Sequence, residues 1–196
     1  MKTRIDIIRH GEPVGGRRYR GHGVDDPLTD KGWRQMWDAL PQNPRWDHIV
    51  SSPLRRCFDF ATALAEKLGI ETSIDDDFRE IGFGAWEGLT ADEITARDPD
   101  ALEHFLDDPI NNRPEAAEPL RDFSARVCNA YNRTVQQHGG QRVLVVAHAG
   151  VARAITAHVL GMELQSVYSR FRVEYGGILT TTVETGKAPK LVIESR

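Results

Sequence analysis

The sequence predicts an α/β fold, a three-layer sandwich in which a mostly parallel central sheet carries helices on both faces. Short segments rich in β-branched residues alternate with segments whose apolar residues recur at helical spacing. Such alternation is typical of right-handed crossovers between parallel strands. The length of 196 residues, with 40% hydrophobic and 28% charged residues, suits a single globular domain.

The N-terminal part of the chain predicts three strands and two helices. The segment TRIDIIR is short, β-branched and followed by His10-Gly11, as expected for a buried strand that ends in a turn. Thr29 can cap the first helix, and Gly69 ends the second. The predicted elements are a strand at 3–9, a helix at 29–41, a strand at 47–51, a helix at 53–68 and a strand at 70–74.

The C-terminal part repeats this alternation after a long polar segment. Residues 75–118 hold only short helical pieces, and we expect them to form a cap inserted over one edge of the sheet. Gly139-Gly140 separates a helix from RVLVVA, the most apolar strand of the chain. The predicted elements are a helix at 119–138, a strand at 142–147, a helix at 150–160, and a hairpin of strands at 177–184 and 190–194 around Gly186.

Composition and charge restrict the partners of the protein. A formal net charge of −4 and a pI near 6.0 do not favour nucleic acid or an anionic membrane, because both require a basic face. No apolar run has the length of a signal or a membrane span, so we expect a cytoplasmic protein. Cys57 and Cys128 are far apart in sequence and are expected to be reduced, structural thiols. Small molecules are therefore the expected partners.

Two of the predicted strands end in a histidine. IIRHGE places His10, and VVAHAG places His148, at the carboxyl ends of strands, where ligands bind in open α/β sheets. Arg9 precedes the first histidine, and Arg55 and Arg56 begin the helix after the second strand. Guanidinium groups match the oxygens of a phosphate, so this pattern predicts an oxyanion site. We expect one of the two adjacent arginines to lie on a solvated helix face instead.

These segments resemble the histidine phosphatase superfamily, also called the phosphoglycerate mutase-like family. The motifs RHGE (9–12), SSPLRRC (51–57), REIGFGAWEG (79–88) and AHAGVARA (147–154) are similar to those of the family and stand in its order. The resemblance implies a phosphohistidine mechanism. It makes His10 the nucleophile, Glu80 the proton donor, and Arg9, Arg56 and His148 ligands of the phosphate, with His148 also stabilising the transferring group.

No metal or other cofactor is expected. The sequence has no carboxylate cluster that suggests magnesium, and His10 with His148 lacks a third ligand for zinc.

Two positions depart from the family pattern. Ala149 stands where glycine is commonest, and residues 114–119 (PEAAEP) resemble a Pro-Gly-Gly-Glu-Ser loop with both glycines replaced.

The segments 15–22 and 25–29 resemble the bacterial α-ribazole-5'-phosphate phosphatases of cobalamin synthesis. This resemblance makes Arg20 and Gly21 candidate phosphate-binding residues, and Tyr19 and Trp86 are candidates to stack on a planar base. The alternative reading of 15–22 is a flexible basic surface loop. Residues 88–119 leave no room for the insertion of the mutases, so a phosphatase of small phosphorylated metabolites is favoured.

Four alternatives to this function stay open. They are a cofactor-dependent phosphoglycerate mutase, a broad-specificity phosphatase, a protein-phosphotyrosine phosphatase and a catalytically silent phosphate-binding module. The strand at 190–194 is predicted to be a sheet edge, and because edges can pair between chains we expect a homodimer.

Overall fold

A six-stranded sheet runs through the computed structural model of the chain, which describes residues 1–192 except for the side chains of residues 168 and 169. The spatial order is β3-β2-β4-β1-β5-β6. The strands are β1 (Lys2–Arg9), β2 (His48–Ser51), β3 (Glu71–Ile74), β4 (Arg142–Ala147), β5 (Ile178–Glu184) and β6 (Lys190–Val192).

Strand direction agrees with the predicted mostly parallel sheet. β1, β2, β3 and β4 are parallel to their neighbours in this group, whereas β5 pairs antiparallel with β1 and β6 antiparallel with β5. The antiparallel pair of β5 and β6 confirms the predicted C-terminal hairpin, and β6 lies at one edge of the sheet, opposite β3. Residues 193 and 194, which the sequence added to this strand, lie outside the described residues.

Helices cover both faces of the sheet. The helix from Leu164 to Arg170 was not predicted, because LQSVYSR is only about two helical turns long and has few apolar positions. The others agree with the sequence to within about two residues at their ends. The helices are α1 (Asp30–Ala39), α2 (Arg55–Leu68), α3 (Ala91–Arg97), α4 (Ala101–Asp107), α5 (Leu120–Gln137), α6 (Ala149–Leu160) and α7 (Leu164–Arg170).

The two faces of β4 explain why its sequence is apolar throughout. Val143 and Val145 pack against the layer formed by α5 and α6, while Leu144 and Val146 pack against α1 and α2. Successive side chains of a strand point to opposite faces, so a strand buried on both sides needs a continuous apolar run. β4 therefore lies in the centre of the core.

The expected cap holds short elements on one side of the sheet. Residues 75–118 contain two 3-10 helices, at Asp76–Phe78 and Gly84–Trp86, followed by α3 and α4. Thr90 and Glu93 form a capping box at the start of α3. A single domain, 1–196, with this segment as a cap is our proposal for the domain organisation. Within residues 1–192, no helix is both long and apolar enough to cross a membrane.

Candidate active site

His10 and His148 lie side by side at the carboxyl edge of the sheet. β1 and β4 are adjacent and parallel, so the residue after each strand emerges at the same edge. The two imidazole ring centres are 5.2 Å apart, with an angle of 65° between the ring planes. The backbone N–H of His10 donates to the carbonyl of Ala147 at 2.9 Å, which extends the pairing of β1 and β4 into the site.

The His10 ring is held in one tautomer. Nδ1 lies 2.7 Å from the carbonyl oxygen of Gly11, and because a carbonyl oxygen only accepts, Nδ1 must carry the proton. Burial lowers the pKa of His10 well below its ordinary value, and the charges of Arg56 and Arg9 lower it further. At neutral pH, Nε2 of His10 is therefore unprotonated and has a free electron pair.

His148 is fully buried and is contacted by two side chains of the strand-helix segment after β2. Its Nε2 lies 2.7 Å from the Ser52 hydroxyl, and the Cys57 sulfur lies 3.6 Å from the same nitrogen. Burial, followed by the positive charge of Arg56, lowers the pKa of His148 well below its ordinary value. Burial also raises the pKa of the Cys57 thiol, so this cysteine is not a thiolate nucleophile.

Arg9 and Arg56 are held by backbone carbonyls. Nη1 of Arg9 donates to Val173 at 2.6 Å, and the two terminal nitrogens of Arg56 donate to Val24 at 2.9 Å and Gly21 at 2.7 Å. In both side chains Nε is buried, and among the described residues it has no hydrogen-bond partner. Burial lowers the pKa of both guanidinium groups, but arginine keeps its charge at any working pH. Two fixed cations thus have an unused donor each.

The adjacent arginines have different environments, as expected. The Arg56 side chain is 1% exposed, whereas Arg55 points to solvent and forms an ion pair with Asp59 at 3.6 Å. The backbone N–H of Arg55 donates to the Asp25 carboxylate at 2.7 Å, which satisfies an orphan donor at the start of α2.

The Glu80 carboxyl group is positioned by two backbone donors. Oε1 accepts from the N–H of Ile81 at 3.0 Å, and Oε2 accepts from the N–H of Gly150, in the first turn of α6, at 3.2 Å. The Glu80 carbonyl accepts from Arg126 at 3.1 Å and contacts the His22 ring at the same distance. Arg126 also binds the carbonyls of residues 77 and 79, so it fixes the whole segment that carries Glu80.

The expected site residues meet at one cavity of about 620 Å³. Arg9, His10, Arg56 and Glu80 lie in its wall together, and Ala149, which departs from the family pattern, also lines it. His148 contacts this group through its ring packing with His10. The structure therefore brings together the two histidines, the two arginines and the carboxyl group that the sequence assigned to one site.

Arg20 and Gly21 also line the cavity, but both have structural contacts. Arg20 is buried, with Nε 2.8 Å from the Asp26 carboxylate and Nη2 2.7 Å from the carbonyls of Val14 and Gly16. The reading of 15–22 as a flexible surface loop is wrong for this side chain. Gly21 has a φ of 55°, a left-handed conformation that favours glycine, and its carbonyl holds Arg56. Their role as phosphate ligands stays a prediction.

Other expectations around the site have mixed outcomes. Residues 114–119 do not line the cavity. Glu118 accepts from Arg126 at 2.7 Å and so helps to hold the arginine that fixes the Glu80 segment. Trp86 packs edge-on against Phe105, with 5.3 Å between ring centres, and is not in the cavity wall. Tyr19 is in the wall, although its ring also packs on Phe83.

Several residues at the cavity had no signal in the sequence. Tyr175 lies in the wall next to His10, and Arg172 adds positive charge to the wall. Arg153 is also in the wall, although it belongs to the AHAGVARA motif. Ser52, whose hydroxyl contacts His148, lies in the SSPLRRC motif, but no role was predicted for it from the sequence. Among residues 1–192, no group of three or more His, Cys, Asp or Glu side chains is placed to hold a metal ion.

The geometry defines a class of site: a pocket in which a neutral histidine lies beside two fixed cations, an arrangement suited to an oxyanion. The comparisons with known proteins agree with it. The model of the histidine phosphatase superfamily (branch 1) matches residues 5–193, so the chain belongs to this family. The family resemblance seen in the four motifs is thereby confirmed.

Named relatives include enzymes with different substrates. A bifunctional protein of Mycobacterium tuberculosis is 38% identical over 151 residues, which are 74% of this chain and 41% of that protein. The chain thus spans less than half the length of that relative. Phosphoserine phosphatase 1 of Hydrogenobacter thermophilus is 30% identical (85% and 81% covered), and the adenosylcobalamin/α-ribazole phosphatase of Salmonella typhimurium is also 30% identical (98% and 96% covered).

Solved structures have the same fold over nearly the whole chain. YhfR of Bacillus stearothermophilus superimposes with a TM-score of 0.88 at 28% identity, covering 98% of this chain and 96% of that one. A putative α-ribazole-5'-P phosphatase of Escherichia coli K-12 superimposes with a TM-score of 0.84 at 26% identity, covering 97% and 95%. The predicted α/β sandwich of the phosphoglycerate mutase-like type is confirmed by these neighbours.

Proposed function

We propose that the protein hydrolyses phosphomonoesters of small metabolites through a phosphohistidine formed at Nε2 of His10. One observation supports this most strongly. A histidine with a fixed tautomer and a free Nε2 shares a cavity with two buried guanidinium groups. In each of them Nε is buried and has no hydrogen-bond partner among the residues that the structure describes. Buried donors without partners are uncommon in proteins, and a bound phosphate would satisfy both.

The reaction has two steps. In the first, Nε2 of His10 forms a bond to phosphorus, the ester P–O bond breaks, and protonated Glu80 gives its proton to the leaving oxygen. In the second, water attacks phosphorus, Glu80 takes up a proton from that water, and the N–P bond breaks to release phosphate. Protons and electron pairs balance over the cycle, and His10 returns to its starting state.

Positive charge lowers the barrier of both steps. Arg9 and Arg56 would bind the phosphate oxygens, and His148 would donate to the group in transfer. Arg20 and the backbone at Gly21 would border the same oxygens from the loop after β1. No metal or other cofactor is part of the proposal, because imidazole, guanidinium and carboxyl groups supply the nucleophile, the charge and the proton.

For the substrate, we propose α-ribazole-5'-phosphate. Support comes from the Salmonella typhimurium relative and the Escherichia coli structure, whose names state α-ribazole phosphatase activity. Tyr19 offers an aromatic ring in the wall of the cavity, where the planar base of such a substrate would stack.

A second candidate substrate is a phosphomonoester that carries a carboxylate. It is favoured by the additional cations in the cavity wall, which include Arg17, Arg153 and Arg172. A neutral alcohol portion gives these side chains no charge to bind, whereas a carboxylate does. Phosphoserine phosphatase 1 of Hydrogenobacter thermophilus is named for a substrate of this kind.

The test is steady-state phosphate release in EDTA from a substrate panel, with wild type and His10→Ala. The panel holds α-ribazole-5'-phosphate, phosphoserine, 3-phosphoglycerate, nucleotides and phosphotyrosine. We expect α-ribazole-5'-phosphate to have the highest kcat/KM and His10→Ala to be inactive. Preference for phosphoserine would move the assignment to the second candidate. Activity that survives in His10→Ala would refute the nucleophile, and isomerisation of 3-phosphoglycerate with bisphosphoglycerate present would indicate a mutase.

A silent binding module predicts a different result. Wild type would then bind inorganic phosphate but release none from any substrate in the panel.

We also propose a cytoplasmic protein that pairs into a homodimer through the β6 edge, with no nucleic acid or membrane partner. Sedimentation of the purified full chain tests the dimer.

A further inference from the structure

The turn formed by Glu174, Tyr175, Gly176 and Gly177 precedes β5 and touches the site. The N–H of Gly177 donates to the Glu174 carbonyl at 2.9 Å, which closes the turn. Gly176 has a φ of 71°, and a Cβ there would lie 2.6 Å from the Gln35 carbonyl of α1. Because only glycine fits at this position without strain, the turn is fixed against the body of the protein.

This turn holds Arg9 by its backbone and its side chain. The N–H of Arg9 donates to Gly177 at 3.0 Å, and the N–H of Gly176 donates to the Arg9 carbonyl at 3.1 Å. The guanidinium carbon lies 4.0 Å from the centre of the Tyr175 ring, within cation–π range, while Nη1 donates to Val173 at 2.6 Å. The segment from Val173 to Gly177 therefore surrounds Arg9.

The edge of the Arg9 guanidinium that carries Nε and Nη2 is the part that would bind phosphate. With Nη1 engaged by Val173, the fork formed by Nε and Nη2 is the geometry that binds two phosphate oxygens at once. Nε of Arg9 is buried and, in the part of the chain described, has no partner. The Tyr175 ring covers a face of the group, so it restricts rotation without using any donor.

We propose that Tyr175 is a positioning residue, whose ring holds the Arg9 guanidinium in the orientation that binds the phosphate. This inference rests on the proposed phosphatase function of the same site. A flexible arginine would have to lose side-chain freedom when phosphate binds, whereas a clamped one has already lost it. The ring, and not the hydroxyl, is the part of Tyr175 that acts.

Inorganic phosphate is the probe for this proposal, because it has no leaving group that Tyr175 could contact directly. Its dissociation constant is measured by calorimetry for wild type, Tyr175→Phe and Tyr175→Leu. We expect Tyr175→Phe to stay within about twofold of wild type, since the aromatic face is retained. Tyr175→Leu should weaken phosphate binding roughly tenfold, the order expected for a largely desolvated cation–π contact. Thermal unfolding confirms that each variant is folded.

A cycle with Arg9→Gln tests whether Tyr175 acts through Arg9. In the Arg9→Gln background, Tyr175→Leu should have no further effect on phosphate affinity. Additive effects, an unchanged affinity in Tyr175→Leu alone, or an equal loss in Tyr175→Phe would each overturn the proposal. Failure of the proposed phosphatase function gives a separate result, because wild type would then release no phosphate from the substrate panel.

Discussion

Acid should destabilise this protein through its two buried histidines. His10 and His148 are 6% and 0% exposed, and burial together with Arg56 lowers the pKa of each well below the ordinary value. In the unfolded chain both return to a pKa of about 6.5, so below that pH the unfolded state binds more protons than the folded state. The stability that these neutral histidines provide is complete above pH 6.5 and is lost as the pH falls toward their folded pKa values.

The magnitude follows from the number of protons. For one histidine whose folded form stays neutral, the free energy of unfolding falls by about 1.4 kcal/mol between pH 7.5 and pH 5.5. Two such groups give about 2.7 kcal/mol, a large fraction of the stability of a typical domain. The assay is chemical denaturation at both pH values, with the difference in unfolding free energy taken for each variant separately.

Substitution assigns this difference to the two residues. His10→Gln and His148→Gln should each reduce the pH-dependent loss by about half, whatever the substitution does to stability at pH 7.5. His104→Gln is the matched control, because its side chain is exposed on α4 and the loss should stay as in wild type. If the double variant His10→Gln/His148→Gln loses as much unfolding free energy between the two pH values as wild type does, the two imidazoles are not held neutral and the prediction is refuted.

Three further predictions concern single positions. Arg56→Lys should lower kcat/KM by on the order of a hundredfold, because lysine lacks the forked donors, whereas Arg55→Lys, on the solvated side of α2, should match wild type in the same assay. Gly150→Ala should lower kcat more than tenfold, because its new methyl group would collide with Oε1 of Glu80; an unchanged kcat would show that this carboxyl placement is not needed. Ala116→Gly should raise the unfolding free energy by up to about 1 kcal/mol in denaturant titrations, because Ala116 has a left-handed φ of 57°, and a loss of stability would contradict this.

The sequence was sufficient to predict the strands of the parallel part of the sheet and the residues that follow them. IIRHG and VVAHA are apolar enough to be buried strands, and a buried parallel strand fixes where the next residue emerges. For this reason local patterns were enough to place His10 and His148 at the same edge of the sheet. The order of the strands, which makes β1 and β4 neighbours and brings the two rings to 5.2 Å, was not predicted. The exposure of Arg55 and the burial of Arg56 also agree with a helix that has one solvated face.

The sequence was insufficient where long-range contacts decide the structure. Arg20 is in a glycine-rich basic segment that has no periodicity, and its burial depends on Asp26 and on loop carbonyls whose positions no local pattern gives. The helix Leu164–Arg170 has too few apolar positions to be recognised, so the segment behind it was not assigned to any element. Tyr175 follows that helix, and its contact with Arg9 therefore could not be predicted from the sequence.

Strand direction explains why a site residue comes from that segment. The parallel strands β1, β2 and β4 deliver the residues that follow them to the carboxyl edge, and these include His10 and His148. β5 runs antiparallel to β1, with Ile178 opposite Ile8, so it delivers the residues that precede it to the same edge. Tyr175 is one of those residues. In a mixed sheet, the search for site residues must therefore extend to the segment before each antiparallel strand that borders the catalytic one.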